Sequence, residues 1–545
     1  MNRFFLLCLL TSLPLFAFSN TITLDWLNEK PRSYAKNFYI WQFLQQDITP
    51  NEAALALEQA RNVNEILFFA YAKKIKNDET YAIMQCMQAK ASELVATNSD
   101  CIAAGLSVNK ATLLTYQEKL LAISKLKEKY PFQTEILKVL NAPLPFTKLT
   151  ASPKEVFFKT FNQCGNSFRE NYFNYKLPQS TLDKLLGDAA INRTIVLIVT
   201  NPKLNALQES LLENFQSQNL TNNGLFYLGI NALIHDKNEL ALNYFNRAYD
   251  QSYLRSDKDK MLFWKYQLTQ DKQLLEELSN SSNINIYSLF ALEALNKKPN
   301  NIIYDIKLEK NKEKNSYNIA DPFSWIPIFK ELKTVDETQL KSYEKKFNNK
   351  DTLPYLAFIY EKYYQFQRNY FITPYEEYII DYDLDKQALI YAIAKQETHF
   401  IPSSISPSYA MGMMQIMPFL SKHIAKELKE EKYDINEMLN IKQNLKFANY
   451  QLNYLKKELK HPLFIAYAYN GGIGFSKKML GSGLFSNMKK RYEPYLSMEL
   501  VSVDESRHYG KQVLANYYIY KNHLDKKHPL RFSSLVESLQ NPYQK

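Results

Sequence analysis

Glycine is the residue this sequence does most without: 12 occur among 545 residues, a third or less of the average usage of about 7%. So few glycines exclude a protein built from tight hairpins and predict a mostly helical chain. Cysteine is sparse as well, at four, with no Cys-x-x-Cys and no metal-finger spacing, so no metal site is expected. No Walker-type phosphate loop, no His-Glu-x-x-His motif and no nucleophile elbow occurs, and no cofactor is expected. Beyond the N-terminus no long apolar run appears, which excludes an integral membrane protein. The four tryptophans, Trp26, Trp41, Trp264 and Trp325, all precede residue 370, so sugar stacking after that point must use Tyr or Phe.

The length calls for two to four domains, and 46% apolar residues are enough to build their cores. Tyr and Phe are abundant, at 39 and 33. The formal net charge of +11 favours polyanions, whether nucleic acid, acidic lipid or an acidic cell-wall polymer; solubility alone is the bland alternative. Arg3, the apolar run Phe4 to Phe16 and the small-residue stretch Ala17-Phe18-Ser19 read as a secretory signal peptide over 1–19. Export to the periplasm follows as an expectation, and it disfavours nucleic acid as partner. Export also permits disulfides. Cys86 and Cys101 are close enough in sequence to staple neighbouring helices, which leaves Cys164 free or buried.

Residues 20–300 read as an α-superhelical region, a solenoid of helix pairs, with an ordinary helical bundle as the plainer alternative. Its clearest unit is Leu225 to Asp250, where Leu228-Gly229, Ala232, Ala241 and Phe245 fall where a tetratricopeptide-like helix pair wants them. A polar patch from Asn296 to Asn318, with Lys307, Lys310, Lys312 and Lys314, marks a boundary and a solvated face. A helical linker over 301–369 follows. Seven of the twelve glycines then lie between Gly412 and Gly510, and Thr373-Pro374-Tyr375 leads into a last domain of different character, 370–545. The expected fold class is thus all-α dominated, with minor β in the last domain.

That last domain holds the chemistry. Ile390, Ile393, Ala394 and Glu397 recur at i, i+3, i+4 and i+7, so an acid ends an apolar helical stripe. Pro402 predicts that the helix stops by residue 401, which puts Glu397 in its last turn. Burial there would keep it protonated, as a general acid requires. Three more blocks accompany Gln396-Glu397-Thr398-His399-Phe400. They are Gly412-Met413-Met414-Gln415-Ile416-Met417-Pro418, Ala466-Tyr467-Ala468-Tyr469-Asn470-Gly471-Gly472 and Glu505-Ser506-Arg507-His508-Tyr509. Pro462 opens the helix of the third block and glycine stops it. Asp385 is expected to cap the Glu397 helix. Asp381, Asp383 and Asp385 do not make a calcium loop, because Lys386 and Ala392 stand where Gly and Glu are needed. His399 reads as a packed or surface histidine and not as a base, and Met411, Met413, Met414 and Met417 mostly as core filling.

In order and spacing the four blocks resemble the lysozyme-like domain of the soluble lytic transglycosylases over roughly Asp385 to Tyr520. The resemblance implies Glu397 as the single catalytic acid/base and Thr398, Gln415, Tyr469, Asn470, Glu499 and Tyr509 around the sugar, with Asn444 matching a further family helix. It implies cleavage between N-acetylmuramic acid and N-acetylglucosamine with closure of a 1,6-anhydro ring. Peptidoglycan glycan strands and cell-wall synthesis proteins are the partners it suggests. Thr398, Gly471, Ala448, Ser506 and Gln451 depart from the family's usual residues without removing a reacting group. The residues by themselves support a one-carboxylate glycan cleaver; a lysozyme-type hydrolase and a helical scaffold with an inactive tail are the alternatives.

Overall fold

The computed structural model describes residues 21–75, 77–308 and 317–543. The expected leader over 1–19, and Lys310, Lys312 and Lys314, lie outside the described residues. Helices dominate what is described, and β-structure there is limited to two-residue strands and isolated bridges. None of these helices is long and apolar enough to cross a membrane. The chain forms two compact units, one ending at Tyr81 and one running Ala82–Lys545. It does not divide near residues 300 or 370, where composition alone suggested boundaries.

In the first unit the helices Tyr34–Phe43, Pro50–Glu58 and Glu65–Ile75 close on Leu27, Ile40, Phe43 and Leu67. In the second, Cys86 and Cys101 form a disulfide with Cα atoms 5.2 Å apart. Cys164 is a buried thiol, pushed up to about 11 by that burial. The tetratricopeptide-like unit is a pair of helices, Asn222–Ile234 and Asn238–Gln251. A Cβ on Gly229 would lie 2.5 Å from Phe245 Cε1, so the missing side chain is what lets the two helices meet. Arg255–Thr269, Lys272–Ser279 and Ile286–Ala294 then stack on in chain order.

Contacts far apart in sequence explain why the rest of the second unit does not separate. Ile302–Ile303 pairs in parallel with Asn369–Tyr370, which closes the intervening segment at its base. Glu293 accepts from the backbone amides of Phe532 and Ser533, at 2.5 and 3.3 Å, and so caps the helix Phe532–Glu537 from a distant part of the chain.

Three helices carry three of the four blocks found in the sequence. Leu384–Thr398 packs along Asp504–Leu524, which also packs on Pro462–Gly471. The first of these is capped by Asp383, not Asp385: Asp383 is still extended, and its Oδ1 accepts from Lys386 N at 2.8 Å. Asp385 is already helical and pairs with Lys521 Nζ at 2.8 Å. Pro462 begins its helix and Gly472, at φ 84°, ends it. Gly510 sets how closely the Tyr509 helix crosses this one, since a Cβ there would lie 2.1 Å from Tyr467 Cε1. Gly510→Ala is therefore expected to cost ~1–3 kcal/mol in overpacking. Urea unfolding of the variant against wild type measures it.

Candidate active site

Glu397 sits in the last turn of Leu384–Thr398, half-buried at the edge of the core. The helix ends there because His399 and Phe400 turn left-handed, at φ 52° and 68°. Neither is glycine, so each costs about 1–2 kcal/mol of backbone energy. His399 behaves as the packed residue expected of it: Nδ1 pairs with Glu361 Oε2 at 2.9 Å and the ring meets Phe358 edge-on.

Tyr509 reaches the acid from the neighbouring helix, its hydroxyl donating to Glu397 Oε1 at 2.7 Å. Among the described residues no lysine or arginine is paired with Glu397. Burial pushes its carboxyl up to about 7, the Tyr509 hydrogen bond works the other way, and the charge of Glu505 adds to the rise. The group thus holds a proton near neutrality and is able to give it up and take it back.

The Gly412–Pro418 loop forms the facing wall. Gly412 has φ +78°, and a Cβ there would lie 2.1 Å from Met438 O and 2.4 Å from Asn444 Nδ2. Asn444, fully buried, accepts from Met414 N at 2.8 Å and donates to Met411 O at 3.1 Å. Tyr469 donates to Met414 O at 2.6 Å. Gln415 folds its amide nitrogen back on Gly412 O and Ser404 O, at 2.8 and 3.2 Å, and remains partly exposed. Met411, Met413 and Met414 are buried, whereas Met417 is partly exposed.

Two expected sugar contacts take other roles. Thr398 is buried and donates to Met413 O at 2.9 Å. One residue further along a helix points about 100° away from Glu397, so this hydroxyl ties the end of the helix to the Gly412–Pro418 loop. Glu499 is 1% exposed. Its carboxylate accepts from Tyr287 of the helical region and pairs with Lys511 Nζ at 2.7 Å, while Lys511 also donates to Tyr287 at 2.9 Å. Its helix, Tyr495–Glu499, points the side chain toward the helical region, where it joins two parts of the unit.

The acid that does face Glu397 is Glu505. Its Oε1 accepts from Asn470 Nδ2 at 3.2 Å, and Asn470 Oδ1 accepts from Ser506 Oγ at 2.7 Å. The signal was in the sequence: Glu505 stands four residues before Tyr509 and so shares its helix face. Arg507 turns the other way and is buried, with Nη1 donating to Val501 O at 2.6 Å and an ion pair to Asp504. The structure thus brings together Glu397, Tyr509, Tyr469, Asn470, Glu505 and the Gly412–Pro418 loop, and leaves Glu499 elsewhere. Among the described residues no cluster of His, Cys, Asp or Glu is placed to hold a metal ion.

Residues 378–491 match the family model described as Transglycosylase SLT domain. The chain is 29% identical over 204 residues to a soluble lytic murein transglycosylase of Escherichia coli strain K12, covering 36% of this chain and 30% of that protein. It is 30% identical over 150 residues to a soluble lytic murein transglycosylase of Salmonella typhimurium, covering 27% and 22%. The matches span less than a third of the curated relatives' length. Among solved structures, the 70 kDa soluble lytic transglycosylase of Escherichia coli overlays with a TM-score of 0.45 at 15% identity, over 94% of this chain and 90% of that one. An inactive variant of lytic transglycosylase Slt from Pseudomonas aeruginosa gives 0.47 at 14% identity, over 93% and 89%.

The raised acid has a consequence for stability. Folded Glu397 keeps its proton to about pH 7, whereas an unfolded Glu loses it near about 4.3. Between these values the unfolded state releases a proton that the folded state holds, so wild type loses stability relative to Glu397→Gln as pH rises, and the gap is complete above about 7. Denaturant unfolding of both proteins across this range shows the step. Tyr509→Phe is expected to move it to higher pH and Glu505→Gln to lower pH, because one removes a donor to the carboxylate and the other a repelling charge.

Proposed function

We propose that this chain is a periplasmic lytic transglycosylase that cleaves peptidoglycan between N-acetylmuramic acid and N-acetylglucosamine. The observation that carries the reading is a half-buried Glu397, held near pH 7 by desolvation and touched by a tyrosine hydroxyl, with no cation to ionise it. The matched Transglycosylase SLT domain and relatives named for murein cleavage support the substrate class. The leader read at 1–19 supports the compartment.

The chemistry follows from the one acid. Glu397 gives its proton to the bridging oxygen as the glycosidic bond breaks. The substrate's N-acetyl group steadies the oxocarbenium-like state. The carboxylate so formed, still held by Tyr509, takes the proton of the muramoyl C6 hydroxyl as that oxygen closes on C1. A 1,6-anhydro ring results, no water is consumed, and Glu397 is again protonated. Asn470, Gln415 and the Gly412–Pro418 loop stand where they would position the sugar.

Glu505 favours a second reading. A second carboxylate acting on Glu397 is what a lysozyme-type hydrolase would use. Product mass separates the two. Digestion of purified sacculi is expected to release muropeptides one water lighter than hydrolysis products; reducing ends would establish hydrolysis instead. Glu397→Gln is expected to slow release by about 10²–10⁴. The wild-type rate should fall as pH rises through about 7, where the acid form disappears.

A further inference from the structure

Glu361 lies on the helix Leu353–Tyr363, before the segment matched to the transglycosylase family begins. It is 3% exposed. Its Oε1 accepts from Lys395 Nζ at 2.7 Å and from Tyr370 N at 3.0 Å, and its Oε2 pairs with His399 Nδ1 at 2.9 Å. Lys395 also donates to Tyr370 O at 2.9 Å. These two partners stand two residues before and two residues after Glu397. On a helix, positions 395 and 399 share one face and position 397 lies on the opposite one. One buried carboxylate therefore grips the back of the turn whose front carries the acid.

That turn needs holding. Directly after Glu397 the chain passes through two left-handed residues that are not glycine, and His399, the first of them, is the residue Glu361 binds. Hydrogen bonds from His399 N to Lys395 O and from Phe400 N to Ala394 O, at 3.2 and 3.3 Å, close the helix end. The partner side is built alike: Lys511, two residues after Tyr509, is gripped by the buried Glu499, itself hydrogen-bonded to Tyr287. Each member of the Glu397–Tyr509 pair thus has a lysine–carboxylate clamp two positions away.

We propose that Glu361 is a positioning residue for Glu397, which it keeps aimed at Tyr509 and shielded from water by clamping Lys395 and His399. The linker region before residue 370 then belongs to the active site in a mechanical sense. For the name of the reaction this rests on the function proposed above; for the geometry it does not. Burial works to raise the Glu361 acid, but Lys395 and His399 outweigh it and hold it at about 2, so its carboxylate is ionised across the neutral range.

The test uses full-length Glu361→Gln and His399→Gly. Glycine accepts the left-handed backbone at no cost, so His399→Gly keeps the fold even where Glu361→Gln, which strands a buried lysine, does not. Two readouts are taken. One is kcat and KM on solubilised glycan strands; the other is the pH of the stability step assigned to Glu397, measured against the same variant carrying Glu397→Gln. Misplacing the acid is expected to lower kcat by about ten- to a hundredfold, with KM within about twofold, and to move the step to lower pH as water reaches the carboxylate. Loss of a basic side chain predicts no such fall for His399→Gly, because it would leave the step in place or raise it. An unchanged kcat together with an unmoved or raised step in folded His399→Gly overturns the proposal. Should wild type release no product, the proposed function falls, and the step in the variants decides this inference by itself.

Discussion

A carboxyl group taken out of water must find a cation or keep its proton, and the active-site half of this chain is arranged around that choice. Three glutamates are buried or nearly so. Glu361 has Lys395 and His399, and Glu499 has Lys511; both carboxyls are held below their ordinary range despite burial. Glu397 has only the Tyr509 hydroxyl and the repelling charge of Glu505, and its carboxyl rises. The two charged glutamates tie elements together. The third, with a hydroxyl beside it instead of a cation, keeps its proton to about pH 7.

The division of labour reaches into the packing. Breaking a buried ion pair strands a charge and costs about 3–5 kcal/mol, so the Glu361 and Glu499 pairs define where their helices sit. Glu499 joins the Tyr509 helix to the helical region through Tyr287, and Glu361 joins the Glu397 helix to the linker. This is why composition shifts near 300 and 370 do not appear as divisions between compact units: the charges that settle the site are shared across them. Gly510 and Gly412 act in the same sense without charge, by letting one helix and one loop come closer than any side chain would allow.

Much of this was legible in the chain itself. Local signals gave the helical class, the Pro462-to-Gly472 helix, the close Gly229–Phe245 packing and the end of the Glu397 helix, because each depends on residues within a few positions of one another. The apolar stripe put a carboxylate at a helix end for the same reason, since that is a periodic feature, whereas the four blocks pointed to it as the acid only through the family they resemble. Cap assignment already showed the limit, since Asp383 and Asp385 differ only in which of them remains extended, and backbone conformation is not written in residue type.

What tertiary structure decided is the environment of each carboxylate. Glu397, Glu499 and Glu505 are the same side chain, and nothing within a few residues of each says which will meet a lysine, which a tyrosine and which the solvent. Tyr509 for Glu397 and Tyr287 for Glu499 come from helices over a hundred residues away, and even Lys511 reaches Glu499 from a different helix. Protonation state is a through-space property, set by burial and by charges brought near in the fold. The sequence on its own determined that an acid stands at a helix end; only the folded chain determined that it is half-buried against a tyrosine hydroxyl and holds its proton to about pH 7.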